Sequence, residues 1–119
     1  MLRLSHDYEI KGTAGNGGSW QARTAGYIYE LSTRTGEAIL GFHWHPSGSS
    51  PEVGPHLHVY GRTEPVSLRK AHLPTGLVTL PAVVRMAIRE LGVEPLRPGW
   101  AVILDQAEGD LLGLAPAAT

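Results

Sequence analysis

The chain contains no cysteine, which excludes disulfide bonds, thiolate metal sites and cysteine nucleophiles. Any metal ion that it binds must therefore be held by nitrogen and oxygen ligands. It also has no excess of charge, because 10 basic residues are balanced by 11 acidic ones and the formal net charge is −1. No global basic field draws such a protein to nucleic acid or to an anionic membrane.

Long apolar runs are missing as well. The N-terminal segment, residues 1–7, does not have the apolar stretch of a signal peptide, and no run approaches the length of a membrane span. We therefore expect a soluble, cytoplasmic protein that does not enter a membrane. With 119 residues, 42% of them hydrophobic, the chain is long enough for one core and too short for two, so we expect a single domain.

The hydrophobic pattern predicts an α+β fold that is strand-rich over residues 1–62 and helical over residues 79–112. Apolar and polar residues alternate from Leu2 to Lys11, with the period of two that is typical of a half-buried strand. Further extended segments rich in β-branched and aromatic residues follow, and glycine-rich and turn sequences separate the segments. We predict an antiparallel sheet of about four strands, the later ones covering residues 20–32, 38–45 and 56–62.

Apolar residues at helical spacing predict a helix after the sheet. Thr79 can cap its N-terminus, Pro81 occupies the first turn where a missing N–H is tolerated, and Gly92 supplies a stop. A second, less regular helix is predicted from about Pro98 to Leu112. We expect the helices to pack on one face of the sheet. The first helix has this apolar stripe: Leu80, Val83, Val84, Ala87, Ile88 and Leu91.

The most informative feature of the sequence is a doubled H-x-H pattern, which places four of the six histidines within sixteen residues. In an extended strand, His43 and His45 share one face, and His56, His58 and Tyr60 share one face of the next strand. If residues 46–55 form a hairpin connection, parity allows His45 to lie opposite His56 and His43 opposite His58. Four imidazoles would then form a patch on the face that the helices leave open.

The first interpretation of this patch is a metal site. Imidazoles on neighbouring strands suit Zn²⁺, Ni²⁺, Cu²⁺ or Fe²⁺, and three of them would leave a coordination position open for water or substrate. The predicted ligands are His43, His45, His56 and His58, and Glu52 in the connection could add a carboxylate.

The second interpretation is acid–base catalysis without a metal. A neutral and a protonated histidine can serve as general base and general acid, and such a pair can cleave RNA through its 2′-hydroxyl. The predicted catalytic residues are His45, His56, His58 and Tyr60. Basic residues that follow in the sequence could contact the phosphates. They are Arg62, Arg69 and Lys70.

A third interpretation is a non-enzymatic binding or assembly module, in which the histidine face or a sheet edge contacts a protein partner or a second copy in a homo-oligomer. The two remaining histidines are given structural roles. We predict that His6 packs against the core of the sheet and that His72 lies in a turn before the helix, without a partner nearby in the sequence.

The order of the segments resembles a family of small bacterial proteins, the TumE-like toxins. The similarity rests on the tyrosine-rich strand at residues 25–30, on a following strand that ends in histidine, and on the P-H-x-H segment formed by Pro55, His56 and His58 before a helix. The resemblance implies an α+β toxin component that acts on RNA. It also implies a helix-turn-helix antitoxin as the protein partner. The segment Phe42 to His45 departs from that pattern.

Overall fold

The computed structural model describes residues 1–12, 19–48, 52–61 and 71–112. The chain divides into two compact units, Met1–Leu77 and Val78–Thr119. The first contains a five-stranded antiparallel sheet and the second contains two helices, which confirms the predicted α+β class. The strands are β1 (Leu2–Gly12), β2 (Trp20–Ser32), β3 (Ala38–Trp44), β4 (His56–Val59) and β5 (Leu73–Pro74), and the helices are α1 (Leu80–Glu90) and α2 (Trp100–Leu112).

The sheet is a meander in which every strand pairs with its neighbour in the sequence, in the order β1-β2-β3-β4-β5. A tight turn joins β2 to β3. The backbone N–H of Gly36 donates to the Thr33 carbonyl, and Gly36 has a φ of +90°, which favours glycine. The sheet is therefore antiparallel, as predicted, with five strands instead of about four. The two-residue strand β5 was not predicted because its leucine and proline suggested a turn.

One face of the sheet is apolar and buried around β2 and β3. Tyr27 lies opposite Trp44 and Leu31 opposite Leu40, while Tyr27 and Tyr29 stack with ring centroids 4.6 Å apart. Side chains on this face alternate with those on the other, so the histidines of β3 and β4 project to the opposite side. The packed aromatic side chains hold the strands in position from the side of the sheet opposite the histidines.

The far end of the β1–β2 hairpin extends past β3, whose pairing with β2 begins at Tyr27. Tyr8, Ile10 and Trp20 are consequently exposed, although the alternation around them correctly predicted a strand. The pattern identified the strand but could not show that β3 ends before this part of the hairpin, where no third strand pairs with it in the described ranges.

The helical unit follows the predicted boundaries closely. The Thr79 side chain accepts a hydrogen bond from the backbone N–H of Ala82 at 3.2 Å, and Pro81 stands in the first turn. Helix α1 ends before Gly92, whose φ is +72°. Arg85 joins the helices by donating to Glu108 at 2.8 Å and to Asp105 at 2.7 Å. Neither helix in the described ranges is long and apolar enough to cross a membrane.

Candidate metal centre

Strands β3 and β4 bring the histidines together, but in a register that differs from the predicted one. His43 lies opposite His56, and Gly41 lies opposite His58. The predicted pairs, His45 with His56 and His43 with His58, are wrong by two residues. Because a shift of two preserves the face, the histidines still share one side of the sheet. Parity determines which face a residue occupies, whereas the register depends on the connection between the strands.

Five imidazoles form one continuous group on this face, which we call the histidine cluster: His43, His45, His56, His58 and His72. Neighbouring ring centroids lie between 4.6 Å, for His43 and His58, and 5.8 Å, for His45 and His56. The remaining centroid distances in the cluster fall within these limits. The cluster thus contains every histidine of the chain except His6.

His56 is the centre of the cluster and is only 2% exposed. Its Nδ1 lies 2.8 Å from the carbonyl oxygen of Gly54. A carbonyl can only accept, so Nδ1 must carry the proton and Nε2 must present its lone pair. Metal-binding histidines characteristically donate their second nitrogen in this way, since the bond fixes both tautomer and ring orientation. The expectation that the cluster lies outside the core is therefore wrong for His56.

His43 is held neutral by its surroundings. Burial, followed by the charges of His58, His45 and the other cluster members, lowers the pKa of His43 to about 4. Its Nε2 is buried and has no hydrogen-bond partner among the described residues. The nearest carboxylate oxygen, Oε2 of Glu30, is 4.0 Å away, which is too far for a hydrogen bond and, beside a neutral ring, does not make an ion pair. His43 therefore has a ring nitrogen without a hydrogen bond, which lies beside Gly41 and Glu30.

Gly41 provides the space that the His43 ring occupies. A Cβ added at Gly41 would lie 2.9 Å from Nε2 of His43 and 3.5 Å from the Tyr60 ring. The glycine opposite His58 is thus a packing requirement of the cluster. Sequence reasoning missed this role, although a glycine two residues before an H-x-H strand was visible.

Tyr60 closes one side of the cluster. Its ring is nearly parallel to that of His58, with an interplanar angle of 11° and centroids 5.8 Å apart. Burial, with the nearby charge of Glu30, raises the pKa of Tyr60, so its hydroxyl keeps its proton at neutral pH and can donate a hydrogen bond. Burial and neighbouring histidines lower the pKa of His58. The prediction that Tyr60 shares the histidine face is consistent with this contact.

The structure also assigns the two histidines that had been given structural roles. His6 is half-buried, with its ring nitrogens 3.0 Å from the Tyr29 hydroxyl and 3.1 Å from Oγ1 of Thr24. His72, by contrast, is not isolated. Its ring centroid is 5.0 Å from that of His56 and 4.8 Å from that of His58. His72 therefore belongs to the cluster, although it has no partner nearby in the sequence.

The pairing of β5 explains how His72 reaches the cluster. Leu73 lies opposite Leu57 in β4, which places the preceding residue beside His58 on the other face. In the sequence, His72 followed by Leu73 repeats the His56-Leu57 step of β4, but this segment is too short to show a period. Arg62, Arg69 and Lys70, the predicted phosphate contacts, lie outside the described residues.

Two groups of three histidines are compact enough to hold a metal ion. One comprises His43, His45 and His56, and the other comprises His56, His58 and His72. Within each group the ligand nitrogens lie within 4.8 Å of one another. A tetrahedral zinc site with Zn–N bonds of about 2.0–2.1 Å needs nitrogens about 3.4 Å apart, so the rings of either group would move closer together on binding an ion.

No protein-family model matches the chain, and neither a curated protein nor a solved structure is significantly similar to it. The geometry of the cluster is therefore the basis for assigning a function.

Proposed function

We propose that this protein binds one divalent transition-metal ion through His43, His45 and His56, with a coordination position left open. The observation that carries the proposal is the arrangement at His56, whose Nδ1–H is bonded to the Gly54 carbonyl and whose ring belongs to a compact group with those of His43 and His45. The free Nε2 of His43 supports it, because coordination would give this buried nitrogen a partner.

The ligand set favours particular ions. Three neutral imidazoles without a thiolate suit Zn²⁺, Cu²⁺, Ni²⁺ and Fe²⁺, and are a poor match for Ca²⁺ or Mg²⁺, which prefer oxygen ligands. Neutral ligands also leave the full charge of the ion uncompensated. Such an ion attracts anionic oxygen groups and acidifies a bound water, to a pKa of about 7 in three-histidine zinc enzymes.

These properties suggest metal-assisted chemistry on a substrate with an anionic oxygen, such as a phosphodiester. Tyr60 and His58 flank the site and supply a hydrogen-bond donor and a neutral base respectively. RNA as the substrate, and an antitoxin as partner, remain proposals that rest on the resemblance to TumE-like toxins.

Acid–base catalysis without a metal is less well supported by the geometry. That mechanism needs one protonated histidine near neutral pH, but burial and neighbouring imidazoles lower the pKa of His58, one of the predicted catalytic histidines. Crowded imidazoles repel a proton on any one of them, whereas they favour a metal ion that several can share.

The test is the metal content of untagged protein, purified and then incubated with Zn²⁺, Ni²⁺ or Fe²⁺, measured by mass spectrometry. We expect about one ion per chain in the natural protein. The variant His45→Ala removes a half-buried ligand and should weaken binding in the first group, while His45→Ala/His56→Ala should abolish it. The matched control is His6→Gln, which changes the histidine outside the cluster.

Circular dichroism of each variant establishes that it is folded before its metal content is interpreted. Absence of metal from the folded natural protein under all three conditions would overturn the proposal. RNA cleavage that persists in excess chelator would instead favour the acid–base mechanism. Binding of RNA without metal binding and without cleavage would favour a binding module.

A further inference from the structure

The second group of histidines shares its central residue with the first. His56 belongs to both, His43 and His45 complete one group, and His58 and His72 complete the other. The two groups differ in accessibility. His72 is exposed, whereas His43 and His45 are half-buried. We call them the inner group (His43, His45, His56) and the outer group (His56, His58, His72).

The shared residue can serve only one group at a time. The bond from Nδ1–H to the Gly54 carbonyl leaves His56 a single lone pair, on Nε2. A single lone pair binds one ion, and an imidazole that bridges two ions would have to give up the bond to Gly54. Two adjacent dications would also repel each other across a cluster of neutral ligands.

We infer that the histidine cluster offers one metal ion two alternative positions, an outer and an inner one, between which the ion passes by exchange of ligands around His56. This inference rests on the proposed function and extends it. The outer position contains the exposed His72 and is where an ion from solution first binds. The inner position is the one from which the open coordination site is used.

The geometry makes the transfer short. The centroid of His58 is 4.6 Å from that of His43, so a ligand of the outer group already touches a ligand of the inner group. His56 belongs to both groups and can stay bound while His58 and His72 are exchanged for His43 and His45.

The experiment is a titration with Co²⁺, whose absorption spectrum reports its ligands, combined with native mass spectrometry. We expect one ion per chain in the natural protein despite five available imidazoles. His45→Ala and His72→Ala should each still bind one ion, with different spectra, because each leaves one group intact. His45→Ala/His72→Ala should bind at least about tenfold more weakly than either, by analogy with the loss of supporting groups at metal sites.

Stopped-flow mixing tests the direction of transfer. His72→Ala should load Co²⁺ several-fold more slowly than the natural protein but reach the same final spectrum, since its inner position is unchanged. His45→Ala should load at the natural rate and stop at the spectrum of the outer position. His6→Gln should match the natural protein in both rate and spectrum.

Two results would overturn the inference while leaving the proposed function intact. One is tight binding of two ions by the natural protein, which would make the groups independent. The other is natural loading kinetics in His72→Ala together with loss of all binding in His45→Ala, which would leave a single inner site. Failure of the natural protein to bind any Co²⁺ would instead refute the proposed function itself.

Discussion

Replacing Gly41 with alanine should separate metal binding from folding. Alanine fits the backbone at this position, because Gly41 is not among the glycines with positive φ. Its Cβ, however, would lie 2.9 Å from Nε2 of His43, and an ordinary contact begins at 3.4 Å. The tip of the His43 ring must therefore move by at least about 0.5 Å, whereas metal–ligand distances tolerate only about 0.2 Å.

The size of the effect follows from this displacement. A misplaced ligand should reduce the affinity for Zn²⁺ by about 10–100-fold, the range found when the groups that orient a metal ligand are lost. Stability should change by less than about 1 kcal/mol, since removing glycine from a strand favours folding by about 0.5–1 kcal/mol and offsets the local crowding. Competition with a chromophoric chelator measures the affinity, and urea denaturation of the metal-free protein measures the stability.

The matched control is Gly61→Ala, where an added Cβ meets no atom within 4 Å. Gly61→Ala should leave the affinity for Zn²⁺ and the free energy of unfolding near those of the natural protein. If Gly41→Ala binds Zn²⁺ as tightly as Gly61→Ala, then His43 is not a ligand and the inner group is wrong. A large loss of stability in Gly41→Ala but not in Gly61→Ala would show that the His43 ring cannot move. It would contradict the expectation that Gly41→Ala weakens metal binding without affecting folding.

Four further outcomes can be checked with the same material. His56→Ala should lower the free energy of unfolding of the metal-free protein by about 1–3 kcal/mol, because it removes a buried ring bonded to Gly54; a midpoint in urea equal to the natural one would show that the ring is not packed as described. In the metal-free protein the pKa of His43 is lowered from an ordinary 6.5 to about 4, so the unfolded chain binds a proton at this residue more strongly than the folded protein does. The contribution of neutral His43 to the free energy of unfolding is therefore complete above pH 6.5 and is lost as the pH falls toward 4. The loss is at most about 3 kcal/mol, and it should shrink in His43→Gln when denaturation midpoints are compared at pH 7.5 and pH 5; equal losses in the two proteins would assign it to other groups. Zn²⁺ at a hundredfold excess over its dissociation constant should raise the free energy of unfolding by about 2.7 kcal/mol, and a melting temperature that does not respond would contradict native-state binding. Thr79→Ala should destabilise helix α1 by about 1 kcal/mol through loss of the cap on Ala82, and helicity and thermal stability unchanged from the natural protein would show that the cap contributes nothing.

The fold was predictable where local patterns determine it. Thr79, Pro81 and Gly92 each act through their own backbone chemistry, so the bounds of α1 could be predicted from the sequence alone. Alternation identified β1, and β-branched and aromatic composition between turn sequences identified the next three strands. Strand β5 was missed because two residues are too few to show a period, and its pairing with β4 is decided by contacts distant in sequence.

The sequence predicted most of the histidines of the site and the face of the sheet that they share. It did not predict the register of the strands or the participation of His72. The doubled H-x-H pattern located four of the five cluster histidines, and strand parity correctly gave them a common face. The register of β3 against β4 was not accessible, because the intervening connection can be accommodated with either pairing. His72 was missed for the same reason as β5, since its neighbours in space are chosen by strand pairing.

The unsatisfied nitrogen of His43 is the strongest physical reason to regard the cluster as functional. Leaving a buried polar atom without a partner costs about 1–3 kcal/mol, a substantial part of the stability of a small domain. Apolar residues at the same positions would avoid that cost and would pack equally well on β3 and β4. The sequence instead places a glycine opposite His58 to make room for the ring. A metal ion would supply the missing partner. A local rule that is broken beside a residue adapted to the exception, as His43 is beside Gly41, is what a binding site requires.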